Sequence, residues 1–162
     1  MKLLFEIDRR NYDINNEIYQ RNSSRALIIR NNKIAMVYNL TDKTYEFPGG
    51  GIELGETRED ALIREVEEET GLIIEPNTIK EFGYVHRIEK GKNEPVFIQD
   101  NYFYFCDIKD IIGKKIDVGV ELRYVSVDTA IKANIENTSN EYDLLVLREN
   151  RILKLLKDCK IL

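Results

Sequence analysis

The stretch Gly50–Leu72 reads GGIELGETREDALIREVEEETGL and is the most informative part of the chain. It joins a glycine-rich turn to a run of glutamates. Thr57 is a candidate N-cap with Asp60 three residues later, and Gly71 is a natural stop because glycine tolerates the left-handed conformation. The intervening residues are acceptable or good helix formers and include no proline. The spacing therefore predicts a helix over Arg58–Thr70.

The predicted helix carries a cluster of carboxylates on one face. Glu65, Glu68 and Glu69 stand at positions i, i+3 and i+4, which are neighbours on a helix surface. Like charges at this spacing repel by roughly a few tenths of a kcal/mol per pair, and a divalent cation would reverse the sign of that term. Carboxylate oxygens with no Cys or His nearby suit Mg²⁺ or Mn²⁺ better than zinc. A solvated acidic helix face is the alternative interpretation.

The order of fixed residues in this stretch resembles the Nudix box. Gly50 is followed by five residues and Glu56, and then by seven residues and the segment 64–72, which reads REVEEETGL. Every fixed position of the box is filled. A match with about nine constrained positions is far more specific than a lone glycine-rich run. The chain therefore resembles the Nudix hydrolases, and the resemblance is sharp over the box alone.

The resemblance implies an enzyme in which water attacks the phosphorus of a diphosphate, with Mg²⁺ as the cofactor and Mn²⁺ as a substitute. It implies that Glu68 and Glu69 are metal ligands and that the carbonyl of Gly49 completes the metal shell. The implied catalytic residues are Glu65 and Arg64. Glu65 is either a metal ligand or the general base, and Arg64 would orient it through a planar guanidinium.

Further acids are implied around this shell. Glu56 is expected to bind the metal or to support its ligands. The family often uses one more acid from outside the box, and Glu121, at the start of a late strand, is the candidate, with Asp117 behind it. An ordinary surface carboxylate is the alternative for Glu121.

Substrate contacts are predicted at three residues outside the box. Arg25 and Lys43 are candidates for phosphate, and Asn140 is a candidate for a nucleobase, with an ordinary N-cap as its alternative. The secondary motifs that mark several Nudix subfamilies are absent at their expected spacings. The expected substrate is therefore a nucleoside triphosphate, oxidised or not, and the alternatives are another nucleoside diphosphate derivative or a non-nucleotide diphosphate.

Two other functions share this fold. Isopentenyl diphosphate isomerases rely on a catalytic Cys and several His ligands, and the single His86 and the lack of a Cys near the box speak against them. Non-catalytic Nudix modules that sense ligands typically lose box acids and gain a DNA-binding domain. The acids are intact here, so a hydrolase is favoured over a sensor.

Length and composition set broad limits. The 162 residues predict a single domain over 1–162. A net charge of −5 argues against a nucleic-acid-binding surface, although a bound metal would still attract a small anion. No stretch is long and apolar enough for a signal peptide or a membrane span. Cys106 and Cys159 are predicted to be reduced core thiols of a cytoplasmic protein. The sheet edges and the N-terminal arm are compatible with a homodimer.

The remaining pattern predicts a mixed sheet between helices. Ser24–Arg30 and Lys33–Tyr38 are apolar runs separated by Asn31-Asn32, which indicates a β-hairpin of two central strands. With the resemblance, the fold class is α/β, a Nudix-type α/β/α sandwich with a mixed central β-sheet. The other predicted segments are strands over Lys2–Ile7, Thr44–Phe47, Thr78–Glu89, Pro95–Ile108 and Glu121–Val127, an irregular arm over Asp8–Asn22, a loop over Asp110–Val120, a helix that starts over Asp128–Ala133 with Asp128 as its candidate cap, and a helix over Glu141–Leu156.

Overall fold

The computed structural model describes residues 1–138 and 143–162. The strands are β1 (Leu3–Asp8), β2 (Ile18–Gln20), β3 (Ser23–Leu27), β4 (Ile29–Arg30), β5 (Lys33–Asn39), β6 (Tyr45–Glu46), β7 (Gly49–Gly51), β8 (Leu72–Ile74), β9 (Lys80–Glu89), β10 (Val96–Phe105), β11 (Ile108–Ile112) and β12 (Val120–Val125). The helices are α1 (Arg58–Thr70), α2 (Val127–Asn137) and α3 (Asn150–Asp158), and a π-helical turn over Leu145–Glu149 leads into α3.

A mixed six-stranded sheet forms the centre of the fold. Its strands run in the order β1-β9-β10-β3-β7, and β2 also pairs with β10. The pairs β1–β9, β2–β10 and β3–β10 are parallel, whereas β9–β10 and β3–β7 are antiparallel. A smaller antiparallel sheet has the order β12-β5-β4, with β6 on β5, and β8 pairs with β11. The mixed sheet with its helices confirms the predicted α/β class.

Helices cover both faces of the six-stranded sheet. Successive residues of a strand point to opposite faces, and β10 shows the consequence. Tyr102 and Tyr104 belong to the apolar cluster that contains Leu62 and Val66 of α1. Phe103, between them, belongs to the cluster that contains residues of α2 and α3. No helix in the described part of the chain is long and apolar enough to cross a membrane.

The helix of the box has the predicted limits. The Thr57 side chain accepts a hydrogen bond from the Asp60 N–H at 3.0 Å, which caps the first turn of α1. Gly71 adopts the left-handed conformation with φ of 76° and donates its N–H to the carbonyl of Glu67 at 2.8 Å. Both ends of α1 are therefore fixed by local chemistry that the sequence already contained.

The predicted hairpin is present, but its first strand is divided between two sheets. Asn31 and Asn32 have φ values of 49° and 61°, so the turn has the left-handed backbone of a tight hairpin. The single strand predicted over Ser24–Arg30 is wrong. The carbonyl of Leu27 accepts from Cys106 of the large sheet at 3.4 Å, whereas the next carbonyl, of Ile28, accepts from the smaller sheet at 2.9 Å. The change of hydrogen-bond partner separates β3 from β4.

Two segments predicted to be irregular contain strands. The arm over Asp8–Asn22 includes β2, because its last residues find hydrogen-bond partners along β10. The loop over Asp110–Val120 begins inside β11, which pairs with β8. Both strands are short and lie at the margins of sheets, where pairing depends on a partner that is distant in sequence.

The C-terminal helices also differ from the prediction. Ser126, rather than Asp128, caps α2, and its hydroxyl accepts from the Thr129 N–H at 3.2 Å. The helix continues to Asn137 because the polar residue Asn134 is fully buried and bonds to backbone atoms of β6. In the last helix, predicted over Glu141–Leu156, the π-helical turn over Leu145–Glu149 leads into α3, which continues to Asp158, and the predicted start at Glu141 lies outside the described residues. Cys159, just after α3, is exposed and does not lie in the core as predicted.

Candidate active site

The segment Gly49–Gly51, called the glycine turn below, is held at the edge of the large sheet by the pairing of β7 with β3. Gly49 lies opposite Arg25, and Gly50 lies opposite Ser24. Gly49 has φ of +132°, and a Cβ there would lie 2.1 Å from the Ser24 carbonyl oxygen, so only glycine fits. At Gly50 a Cβ would lie 2.3 Å from a carboxylate oxygen of Glu65. The absence of side chains on this turn allows the Glu65 carboxylate to rest directly on the backbone.

Arg64 joins the carboxylates of the box. Its guanidinium binds Glu56 through two hydrogen bonds, from Nε at 2.8 Å and from Nη2 at 2.9 Å. Nη1 donates to Glu65 at 2.8 Å and to Glu68 at 3.4 Å. Nη2 also reaches the carbonyl of Gly51 at 3.1 Å. The guanidinium lowers the pKa of Glu56 to about 2, and the same bonds raise the pKa of Arg64. Arg64 thus donates to the Glu65 carboxylate, and its role in orienting Glu65 for catalysis stays a prediction.

Glu69 and Arg25 bind the two ends of one backbone residue. The Gly49 N–H donates to the Glu69 carboxylate at 2.8 Å, and the Gly49 carbonyl accepts from Nη1 of Arg25 at 2.6 Å. Arg25 also donates to the carbonyl of Phe47 at 3.0 Å. Burial raises the pKa of Glu69 to about 7, against the opposing effects of Arg25 and of the Gly49 N–H. Burial lowers the pKa of Arg25. The predicted phosphate contact Arg25 therefore braces the glycine turn.

A buried polar network connects this turn to the C-terminal helix. Nε of Arg148 donates to Glu149 at 2.6 Å, and Nη1 donates to Asn101 of β10 at 2.8 Å. The Phe47 N–H donates to Glu149 at 3.4 Å, and Glu46 lies 3.7 Å from the Arg148 guanidinium. Burial raises the pKa of Glu149. Sequence reasoning missed this network, since its members come from separate elements and no local spacing links them.

The segment after β11 closes the C-terminal end of α1. The N–H of Gly113 donates to the Gly71 carbonyl at 2.8 Å. The N–H groups of Ile116 and Asp117 donate to the Glu68 carbonyl at 2.8 Å and 3.0 Å. Ile116 also lines a cavity of about 550 Å³ together with Glu56, Arg64, Glu68 and Lys114. Asp117, the second candidate for an acid from outside the box, therefore lies beside the box because its backbone N–H is bonded to Glu68.

The other predicted site residues lie elsewhere in the fold. Glu121 stands on β12, where its half-exposed carboxylate pairs with Arg123 at 2.8 Å. Lys43 occupies the turn before β6, where its carbonyl accepts from Asn137 at 3.3 Å. Across the described ranges no hydrogen bond or ion pair joins the side chains of Glu121 or Lys43 to the box. Asn140 lies outside the described residues.

The donors around the glycine turn suit a hard divalent cation in their chemistry. They are the carboxylates of Glu65, Glu68 and Glu69 and the carbonyl of Gly49, which are all oxygens. Among residues 1–138 and 143–162, however, no three His, Cys, Asp or Glu side chains converge closely enough to hold a metal ion. In this arrangement Arg64 donates to Glu65 and Glu68, and the Gly49 N–H donates to Glu69. The set of metal ligands remains a prediction.

Comparison with known proteins agrees with this geometry. The NUDIX domain family matches residues 18–145. A Bacillus subtilis protein provisionally named 8-oxo-dGTP diphosphatase YtkD is 37% identical over 70 residues, which are 43% of this chain and 40% of that protein. The ADP-ribose pyrophosphatase of Methanocaldococcus jannaschii is 42% identical over 51 residues, 30% of each chain. The matched segments span less than half the length of either relative.

Solved structures show the same fold. The MutT NUDIX hydrolase from Burkholderia pseudomallei has a TM-score of 0.57 at 19% identity, over 75% of this chain and 99% of that one. A NUDIX hydrolase from Nitrosomonas europaea has a TM-score of 0.61 at 20% identity, over 83% and 90% of the two chains. Because the family match covers most of the chain and includes the complete box, the chain belongs to the Nudix hydrolase family.

Proposed function

We propose that this chain is a Mg²⁺-dependent pyrophosphohydrolase that cleaves the diphosphate bond of a nucleoside diphosphate derivative, with Mn²⁺ as a substitute metal. The observation that carries the proposal is the arrangement around Arg64. One guanidinium holds Glu56, Glu65 and Glu68 beside the glycine turn, in hydrogen bonds of 2.8 to 3.4 Å. A solvated acidic helix face would not need a shared, partly buried arginine.

The residues divide the work of hydrolysis. The Glu65 carboxylate rests on Gly50 and is fixed by Arg64, so it is placed to bind a metal or to accept a proton from water. Glu68, Glu69 and the Gly49 carbonyl supply further oxygens for a cation. When bound, a divalent cation would neutralise charge on the phosphoryl oxygens and lower the pKa of water. The planar fork of Arg64 keeps Glu65 in one orientation during this step.

The names of two relatives favour a nucleotide substrate. The relatives described above carry names that specify a nucleoside triphosphate, 8-oxo-dGTP, and a nucleoside diphosphate derivative, ADP-ribose. Both molecules contain the diphosphate bond that the site is suited to bind. We place the nucleoside triphosphate first and ADP-ribose second, on the greater overlap with the Bacillus subtilis protein.

The test is product release from a panel of substrates: dGTP, 8-oxo-dGTP, ADP-ribose and a non-nucleotide diphosphate. Each is assayed with Mg²⁺, with Mn²⁺ and with a chelator. We expect metal-dependent turnover that Glu68→Gln abolishes. Glu59→Gln is the matched control, because Glu59 is an exposed residue at the other end of α1. A Glu68→Gln protein that keeps full turnover would contradict the assignment, and metal-dependent binding without turnover would favour a ligand sensor.

A further inference from the structure

Arg21 is held next to the glycine turn by its own backbone and by that of its neighbour. The Arg21 N–H donates to the carbonyl of Ile98 in β10 at 3.1 Å. The carbonyl of the next residue, Asn22, accepts from the N–H of Ile52 at 2.9 Å, immediately after the turn. These two bonds fix the segment between β2 and β3 against both the large sheet and the exit of the turn.

The Arg21 guanidinium lies directly over Gly51. A Cβ at Gly51 would lie 2.7 Å from Nη2, 2.8 Å from Nε and 3.1 Å from Cζ of Arg21. The carbonyl of the same glycine accepts from Arg64 at 3.1 Å. Gly51 therefore lies next to two arginines. Its carbonyl is bonded to Arg64, and the Arg21 guanidinium occupies the position that a Cβ would take.

Arg21 differs from the neighbouring arginines in that the N–H groups of its guanidinium have no hydrogen-bond acceptor among the described residues. Arg64 is bonded to three carboxylates, and Arg25 is bonded to two carbonyls of the glycine turn. Arg58 packs over the ring of Tyr102 at 3.8 Å. Throughout residues 1–138 and 143–162, the exposed side chain of Arg21 makes no hydrogen bond or ion pair. It is an available cation beside the turn.

The space in front of Arg21 can hold a ligand. Arg21 and Arg58 both line an open cavity of about 780 Å³ that also includes Tyr19 and two carboxylates, Glu53 and Glu56. The Glu56 carboxylate in that cavity is already paired with Arg64. Two guanidinium groups at one opening favour an anion, since guanidinium forms paired hydrogen bonds with phosphate oxygens.

We propose that Arg21 binds a phosphate of the substrate's diphosphate group through the edge of its guanidinium that is turned away from Gly51, since the N–H groups donate in the plane of the guanidinium. The inference rests on the proposed function, because the proposed function has the diphosphate of the substrate bind beside the glycine turn. Arg21 is then a substrate-binding residue, and Gly51 is required to be glycine so that Arg21 can take this position. The residue acts on binding, so the Michaelis constant should change more than the turnover number.

The experiment uses Arg21→Ala, Arg21→Lys, Gly51→Ala and the double variant of Arg21→Ala with Gly51→Ala. Arg10→Ala is the control, because Arg10 is exposed and lies 3.9 Å from its only ion-pair partner, Asp8, in the described part of the chain. The measurements are KM and kcat for the best substrate of the panel. Binding is measured separately with the α,β-methylene analogues of dGTP and ADP-ribose, which cannot be cleaved at that bond.

We expect Arg21→Ala to raise KM and the Kd of the bound analogue about thirtyfold, Arg21→Lys to recover part of the loss, and the control to change neither. Alanine at Gly51 should displace the flexible Arg21 side chain, so the double variant should be no worse than Arg21→Ala alone. Values within twofold of wild type for Arg21→Ala, or additive effects in the double variant, would overturn the inference.

The binding measurement separates this inference from the proposed function. Weaker analogue binding in Arg21→Ala, in a protein that turns over none of the substrates, would support the phosphate contact and contradict the hydrolase. Turnover with unchanged KM and Kd would support the hydrolase and remove the role of Arg21. A wild-type protein that binds neither analogue would overturn both.

Discussion

Replacing Gly50 by alanine is expected to move the Glu65 carboxylate while leaving the fold intact. A Cβ at Gly50 would lie 2.3 Å from one oxygen of Glu65, whereas ordinary contacts begin at 3.4 Å. The carboxylate must therefore retreat by about 1 Å, and it can do so because it ends a flexible side chain. A displacement of this size at a reacting group costs about 100-fold in rate, which corresponds to about 2.7 kcal/mol of activation free energy.

The effect on stability should be small. Gly50 does not have the positive φ of Gly49, so alanine is compatible with its backbone. Moving Glu65 out of its preferred rotamer costs about 1 kcal/mol, which lowers the Tm of a protein of this size by about 3 °C. Gly55→Ala is the matched control, because Gly55 has φ of +83° and open space around its Cα. It should cost about 1 kcal/mol in stability through backbone strain alone.

The assay compares kcat and Tm for the two variants and the wild type. We expect equal, small decreases in Tm and a roughly 100-fold loss of kcat in Gly50→Ala only. If Gly50→Ala keeps kcat within threefold of wild type at an unchanged fold, then the position of the Glu65 carboxylate does not matter for the reaction. A loss of equal size in Gly55→Ala would show that the glycine-rich segment acts through its general stability.

Three further predictions concern Arg64, Gly49 and the two cysteines. Arg64→Lys should lower kcat about thirtyfold despite the retained charge, because lysine cannot form the paired bonds to Glu56 and loses about 2 kcal/mol of charged hydrogen bonding; unchanged kcat would refute the orienting role. Gly49→Ala should destabilise the fold by about 3 kcal/mol, because the alanine Cβ would collide with a backbone carbonyl at a positive φ. Urea unfolding measures this loss of stability. A loss below about 1 kcal/mol would contradict the strained geometry. Burial raises the pKa of the Cys106 thiol to about 12, so a thiol reagent at pH 8 should modify exposed Cys159 at once and Cys106 only after denaturation; two fast equivalents would show that Cys106 is accessible.

Features determined by neighbouring residues were predictable from the sequence. The limits of α1 follow from Thr57 and Gly71, which act on the helix ends next to them. The turn at Asn31 and Asn32 follows from the tolerance of asparagine for positive φ. The box itself is continuous in sequence, so the grouping of Arg64 with its glutamates could be inferred before any contact was known.

Features that depend on distant partners were not predictable in the same way. The division between β3 and β4 is decided by which sheet accepts each carbonyl, and no local pattern marks Ile28 as the crossing point. The burial of Asn134 is compensated by backbone atoms of Tyr45, far away in sequence. Arg21 stood in a polar, irregular arm, and only the pairing of β2 with β10 places it over Gly51.

The same distinction explains how the acidic face of α1 is tolerated. Local spacing predicts repulsion among Glu65, Glu68 and Glu69. In the structure, however, these carboxylates have different partners. Arg64 pairs with the first two, and its charge offsets theirs. Glu69 is half-buried and accepts from the Gly49 N–H, and burial raises its pKa to about 7 against the opposing effects of Arg25 and of that N–H. The repulsion is thus reduced by one arginine and by the raised pKa of Glu69. A cation bound by all three carboxylates would displace Arg64 and any proton on Glu69. Its binding should therefore release protons.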